Sequence, residues 1–128
     1  MILVDASVAI DWSRGKDANL RRLMPSLPVA VCGVTQAEVL HGSLGPAHRQ
    51  KLLNDLATFQ LVPMPDALWI TLGDNLAALR RRGIAVPFPD AVVAALGILN
   101  DIEVWARDTH FPLMQKGLPQ LKLFQEPP

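Results

Sequence analysis

The chain alternates short apolar runs with longer amphipathic stretches. Ile2-Leu3-Val4 is uninterrupted and stops at Asp5, the pattern of a strand buried on both faces. A helix starts at Ser7, carries Val8, Ala9, Ile10 and Trp12, and breaks at Gly15. Ala18 to Leu27 places Leu20, Leu23, Met24 and Leu27 on one helical face, with a kink at Pro25. Val29 to Cys32 predicts a second strand, Thr35 to Leu44 a helix ending near Gly45-Pro46, and Ala47 to Phe59 another helix. Leu61-Val62 reads as a short strand. Asp66 to Arg82 is the longest helix, striped by Leu68, Leu72, Leu76 and Leu79 and closed by Gly83. Pro87 and Pro89 bracket a turn, and Ala91 to Leu99 is apolar nearly all round, as in a buried helix. Val104-Trp105, Thr109 to Gln115 and Leu121 to Phe124 predict a strand, a short helix and a last strand.

Strands alternating with helices predict an α/β fold of three layers, a central parallel sheet flanked by helices. At 128 residues, half of them hydrophobic, the expectation is one domain over 1–128 with an aliphatic core. A net charge of zero argues against a broadly cationic nucleic-acid binder but leaves room for local basic patches. Cys32 is the single cysteine, so an internal disulfide and a thiolate cage are both excluded. No signal-peptide pattern and no apolar run of about 20 residues is present, so the expectation is a cytoplasmic chain without a membrane span.

In parallel sheets, sites form beyond the carboxyl ends of the strands. Four acids fall at such junctions. Asp5 follows the first strand, Glu38 lies in the helix after the second, Asp90 opens the buried helix, and Asp108 follows the strand at Trp105. Gathered in one pocket, four carboxylates repel one another, and a divalent cation is the usual relief. Hard oxygen ligands suit Mg²⁺ or Mn²⁺, ions that serve phosphodiester hydrolysis by activating water and stabilising charge at phosphorus. A plainer account is open for each acid. Asp5, Asp90 and Asp108 are placed to cap helices, and Thr35-Gln36-Ala37-Glu38 fits a capping box that turns Glu38 back on its own backbone.

These segments resemble the motifs of the PIN-domain ribonuclease family. Ile2-Leu3-Val4-Asp5-Ala6-Ser7 is similar to its first motif, and Thr35-Gln36-Ala37-Glu38 with Gly42 to its second. Pro89-Asp90-Ala91-Val92-Val93-Ala94-Ala95 resembles the third and Arg107-Asp108-Thr109-His110-Phe111 the last, in the same order and over nearly the whole chain. The resemblance implies a ribonuclease like the VapC toxins of bacterial toxin–antitoxin pairs. Such a protein would act on RNA, form a homodimer and be silenced by a cognate antitoxin. It further implies that Asp5, Glu38, Asp90 and Asp108 hold Mg²⁺ or Mn²⁺, supported by Ser7. One position departs: the family often has Thr or Ser two residues before the last acid, and here it is Ala106. That leaves Asp108 as a ligand or as a neighbour acting through a water.

Arg14 and Arg107 are the candidate phosphate contacts; Arg107 is equally placed to pair with a carboxylate. Arg80-Arg81-Arg82 suits a helix end complementing the dipole. His41, His48 and His110 lack the spacing of a zinc site, although His110 lies near the proposed pocket. Trp69 and Trp105 suit core or interface, and Trp12 a partly exposed helix face. Two alternatives accompany the nuclease: a non-catalytic interaction module of the same fold, and a HAD-like Mg²⁺-dependent phosphatase. The latter needs a second Asp two residues after the first, where this chain has Ser7.

Overall fold

A computed structural model describes residues 1–128. Four parallel strands, β1 (Ile2–Val4), β2 (Val29–Val31), β3 (Gln60–Leu61) and β4 (Glu103–Trp105), lie in the order β3-β2-β1-β4. Side chains alternate across the sheet because the strand repeat is two residues. Leu3, Ala30 and Val104 face one hydrophobic cluster, while Ile2, Val4, Val31 and Trp105 face the other. Helices α1 (Ala6–Ser13), α2 (Ala18–Leu23) and α4 (Pro46–Leu56) supply the second cluster; α5 (Ala67–Arg81), α6 (Phe88–Asn100) and α7 (His110–Gly117) supply the first. Helix α3 (Gly33–His41) contacts both α1 and α6. The architecture is therefore the expected three layers with a central parallel sheet.

The strand order has a direct consequence. From β1 the chain builds outward through β2 and β3, then returns to place β4 on the other side of β1. The order reverses between β1 and β4, and at such a switch the connections leave in opposite directions and open a crevice at the carboxyl ends. Asp5 stands at that point: its amide donates to the Trp105 carbonyl at 2.9 Å.

Two local expectations are corrected. Pro87 and Pro89 do not bracket a turn; Pro87 is the N-cap of α6, and Pro89 sits in its first turn, where a missing N–H forfeits no helical bond. Leu121 to Phe124 is not a full strand but a single parallel bridge, Val104 to Leu123. It gains two backbone bonds, from Val104 to the Lys122 carbonyl and from Phe124 to the Val104 carbonyl, both at 2.9 Å. Trp69 is half exposed on α5, whereas Trp105 is fully buried. Trp12 is half-buried, with Phe59 edge-on at 5.2 Å. No helix is long and apolar enough to cross a membrane.

Helix α6 runs through the core, buried from Asp90 to Gly97. It ends at Asp101, which adopts the left-handed conformation (φ 53°) and turns the chain directly into β4. This tight return brings Gly97 against the sheet: a Cβ there would lie 2.5 Å from Val104 Cγ2. A β-branched neighbour cannot swing aside. Gly97→Ala is therefore expected to destabilise the protein, since overpacking costs about 1–3 kcal/mol and helix propensity returns about 1. Urea unfolding of Gly97→Ala, Val104→Ala and the double variant checks this. The double variant should lose less stability than the sum of the singles; simple additivity would mean the two residues do not compete for space.

Candidate metal centre

Asp5 leaves β1 and becomes the N-cap of α1. One oxygen, Oδ2, accepts from the Ser7 amide at 3.2 Å and from the Ser7 hydroxyl at 2.8 Å. The same hydroxyl accepts from the Arg107 amide at 3.1 Å. Ser7 thus ties the acid after β1 to the backbone after β4. The expected cap is present, but it occupies only one oxygen. Oδ1 is buried without a hydrogen-bond partner, and the residue is 2% exposed.

The capping box expected at Thr35 to Glu38 does not form. Helix α3 begins at Gly33, with Cys32 at the N-cap and no side-chain cap. Cys32 is buried, as a small apolar residue should be. Thr35 lies inside the helix, fully buried, and its hydroxyl donates to the Val4 carbonyl at 3.4 Å. Glu38 is therefore a full turn beyond the helix start, too far to reach the N-cap amide. Its Oε1 is also buried without a partner. Asp90, in the first turn of α6, is buried, and its Oδ2 lies 2.9 Å from His110 Nδ1.

One carboxylate oxygen from each of Asp5, Glu38 and Asp90 falls within 4.8 Å of the others. Asp108 stands beside this group. It forms a second set with Asp90 and His110, and its Oδ1 accepts from the His110 amide at 2.7 Å. The four acids thus resolve into a triad plus one neighbour that also accepts from the first amide of α7. Unpartnered buried oxygens on two of the three triad members, on carboxylates this close, fit a hard divalent cation. They do not fit a network of hydrogen bonds.

Burial raises all three triad carboxyls above their ordinary values. For Asp5 it is opposed by the Ser7 bonds and aided by the charge of Asp108. For Glu38 the charges of Asp5, Asp90 and Asp108 add to burial. For Asp90 burial is joined by Asp5 and Asp108 and eased by His110.

The two candidate phosphate contacts are not brought to the acids as free cations. Arg107 reaches Asp17 at 2.6 Å, Asp11 at 3.2 Å and Glu126 at 2.8 Å, so its charge is spent within the fold. These pairs raise Arg107 and lower Glu126, which also accepts from the Trp105 indole at 3.1 Å. Arg14 lies at the far end of α1 and lines a separate cavity of about 290 Å³ with His48 and Lys51. Arg80 and Arg81 end α5, exposed, as expected for a helix terminus. Sequence reasoning missed the acid cluster around Arg107, because its members are scattered from position 11 to position 126 with no motif between them.

The comparisons with known proteins bear on the family and the fold. A family model described as "PIN domain" matches residues 2–117. The chain is 28% identical over 123 residues to Ribonuclease VapC10 of Mycobacterium tuberculosis, covering 93% of this chain and 92% of that protein. Among solved structures it is similar to DNA-bound VapBC from Salmonella typhimurium (TM-score 0.83, 15% identity, 96% of each chain). It is also similar to VapBC2 of Rickettsia felis bound to a promoter DNA fragment (TM-score 0.81, 13% identity, 97% of this chain and 98% of that one). At those identities the structural likeness shows the fold.

The raised carboxyls have a consequence for stability. The unfolded chain releases these protons at lower pH than the folded chain does. Stability contributed by the triad is therefore present in acid and lost as pH rises through the folded values. Asp5→Asn keeps the acceptor that Ser7 bonds and removes one buried charge. In EDTA, the stability of Asp5→Asn minus that of the parent should grow between about pH 4 and about pH 8. Urea titrations across this range test it; a flat or shrinking difference would show that charge crowding does not burden the site.

Proposed function

The chain belongs to the PIN-domain family, and on that premise we propose that it is a metal-dependent endoribonuclease acting as the toxin of a toxin–antitoxin pair. The observation that carries this is the triad: Asp5, Glu38 and Asp90 offer oxygens within 4.8 Å of one another, and two of those residues hold a buried oxygen with no partner. A site of this kind is costly to build, since desolvating an ionised carboxylate costs on the order of several kcal/mol. The cost is offset when a cation is held there.

Asp5, Glu38 and Asp90 are the residues that would hold Mg²⁺ or Mn²⁺, with Asp108 beside them, direct or through a water. When bound, such an ion supplies Lewis-acid charge for an in-line displacement at phosphorus. Ser7 keeps Asp5 from rotating, because its hydroxyl is itself held by the Arg107 amide. The buried position of Asp5 and Asp90 keeps water from screening their charge. No side chain of the cluster is a nucleophile for phosphorus in this reading; the attacking group is water.

The curated relative is named a ribonuclease, and two solved neighbours are toxin–antitoxin complexes. By likeness, the substrate is RNA and the partners are a cognate antitoxin and a second copy of the chain. The compartment is the cytoplasm, where such substrates lie.

Induced expression without a partner tests the proposal, because a cell presents every candidate RNA. The parent should arrest growth. Asp5→Asn and Asp90→Asn, at equal protein levels, should not, and their RNA cleavage should fall by roughly 10²-fold or more, the scale on which loss of one charged contact to the reacting centre acts. Arrest by all three proteins would point to toxicity without catalysis and would remove the nuclease reading.

A further inference from the structure

His110 touches both acids on its side of the cluster. Its Nδ1 lies 2.9 Å from Asp90 Oδ2 and 2.7 Å from Asp108 Oδ1. Towards an ionised carboxylate, which can only accept, the ring would present its N–H at Nδ1. One N–H serves one acceptor well, and Asp90 has the hydrogen-bond geometry. Asp108 Oδ1 instead takes the backbone amide of His110 at 2.7 Å. One residue therefore fixes two acids by two different donors.

The placement of that residue is rigid. His110 is the first residue of α7, and the next turn is anchored by Phe111 and Met114, both buried. Helix α7 in turn packs on α6, which carries Asp90. The ring itself is 38% exposed, so core packing does not account for its orientation; the carboxylates do. Asp90 makes no other side-chain hydrogen bond, and without the ring its carboxylate would be free to turn about its own side-chain torsions.

We propose that His110 is a positioning residue of the metal centre: its ring sets the rotamer of Asp90, and its backbone holds Asp108 to α7, beside the triad. The inference rests on the metal-site reading above. A ligand held by an imidazole N–H loses reorientation entropy before binding, and removal of such partners typically lowers metal affinity by about 10–100-fold. No other residue of the chain makes this contact with Asp90.

Calorimetric titration of the purified full-length chain with Mn²⁺ alone tests this, with melting in EDTA as the control for folding. His110→Ala should weaken Mn²⁺ binding by about 10–100-fold while melting in EDTA close to the parent. His110→Asn, whose side-chain amide can donate from near the Nδ1 position, should recover most of the loss. Parent-like affinity in His110→Ala overturns the proposal. So does failure of His110→Asn to recover affinity, combined with nitrogen hyperfine coupling to Mn²⁺ in the parent, which would make the imidazole a direct ligand. If the parent itself binds no Mn²⁺, the metal-site reading falls and this inference falls with it.

Discussion

Asp5 is a nearly fully buried carboxylate with one oxygen bonded and the other unpartnered, and the rest of the site is arranged around that fact. Left alone, such a group would take up a proton or unfold its surroundings. The fold holds it with the first turn of α1, the Ser7 hydroxyl and the amide bond to the Trp105 carbonyl. It then brings Glu38 and Asp90 close, which worsens the repulsion rather than relieving it. Structural caps do not need this. A cation does, because its charge converts three mutually repelling groups into ligands.

The cluster draws on every layer of the molecule. Asp5 comes from the strand–helix junction at the sheet's centre, Glu38 from α3 after β2, Asp90 from α6 and Asp108 from the turn after β4. These elements converge at the carboxyl ends of the strands, beside the β1–β4 switch point. A second electrostatic network lies next to it and has a different character. Arg107 binds Asp11, Asp17 and Glu126, joining α1, the start of α2 and the chain's last residues. There positive and negative charge balance, and every named group has a partner. The same few residues after β4 serve both networks: Arg107 locks the tail, its amide steadies Ser7, and Asp108 meets His110.

Much of this was legible in one dimension. The apolar runs locate the strands within a residue or so, and the all-apolar stretch after Asp90 is the buried helix it resembles. Asp5 was legible as a carboxylate that ends a fully buried strand. The errors have a common cause. Thr35-Gln36-Ala37-Glu38 has the residues of a capping box, but β2 ends early enough for α3 to begin at Gly33, so the motif lies inside the helix. Pro89 looked like a breaker, yet proline is harmless within a first turn. Leu121 to Phe124 has strand composition but only one edge position to pair with. In each case a local signal was read correctly and its frame was set elsewhere.

The sequence alone determined which residues can be buried, which can ligate, and in what order they occur, because periodicity and residue chemistry are local properties. It therefore determined the three-layer α/β class and the identity of the candidate acids. The tertiary structure decided which oxygens are satisfied and which are left over. Whether Glu38 caps a helix or faces Asp5, whether Arg107 meets phosphate or three carboxylates, and whether Asp108 stands within the triad or beside it all depend on distances between segments remote in the chain. Burial then multiplies the consequence of those distances, since the same charges that water would screen at the surface interact strongly once the fold excludes it.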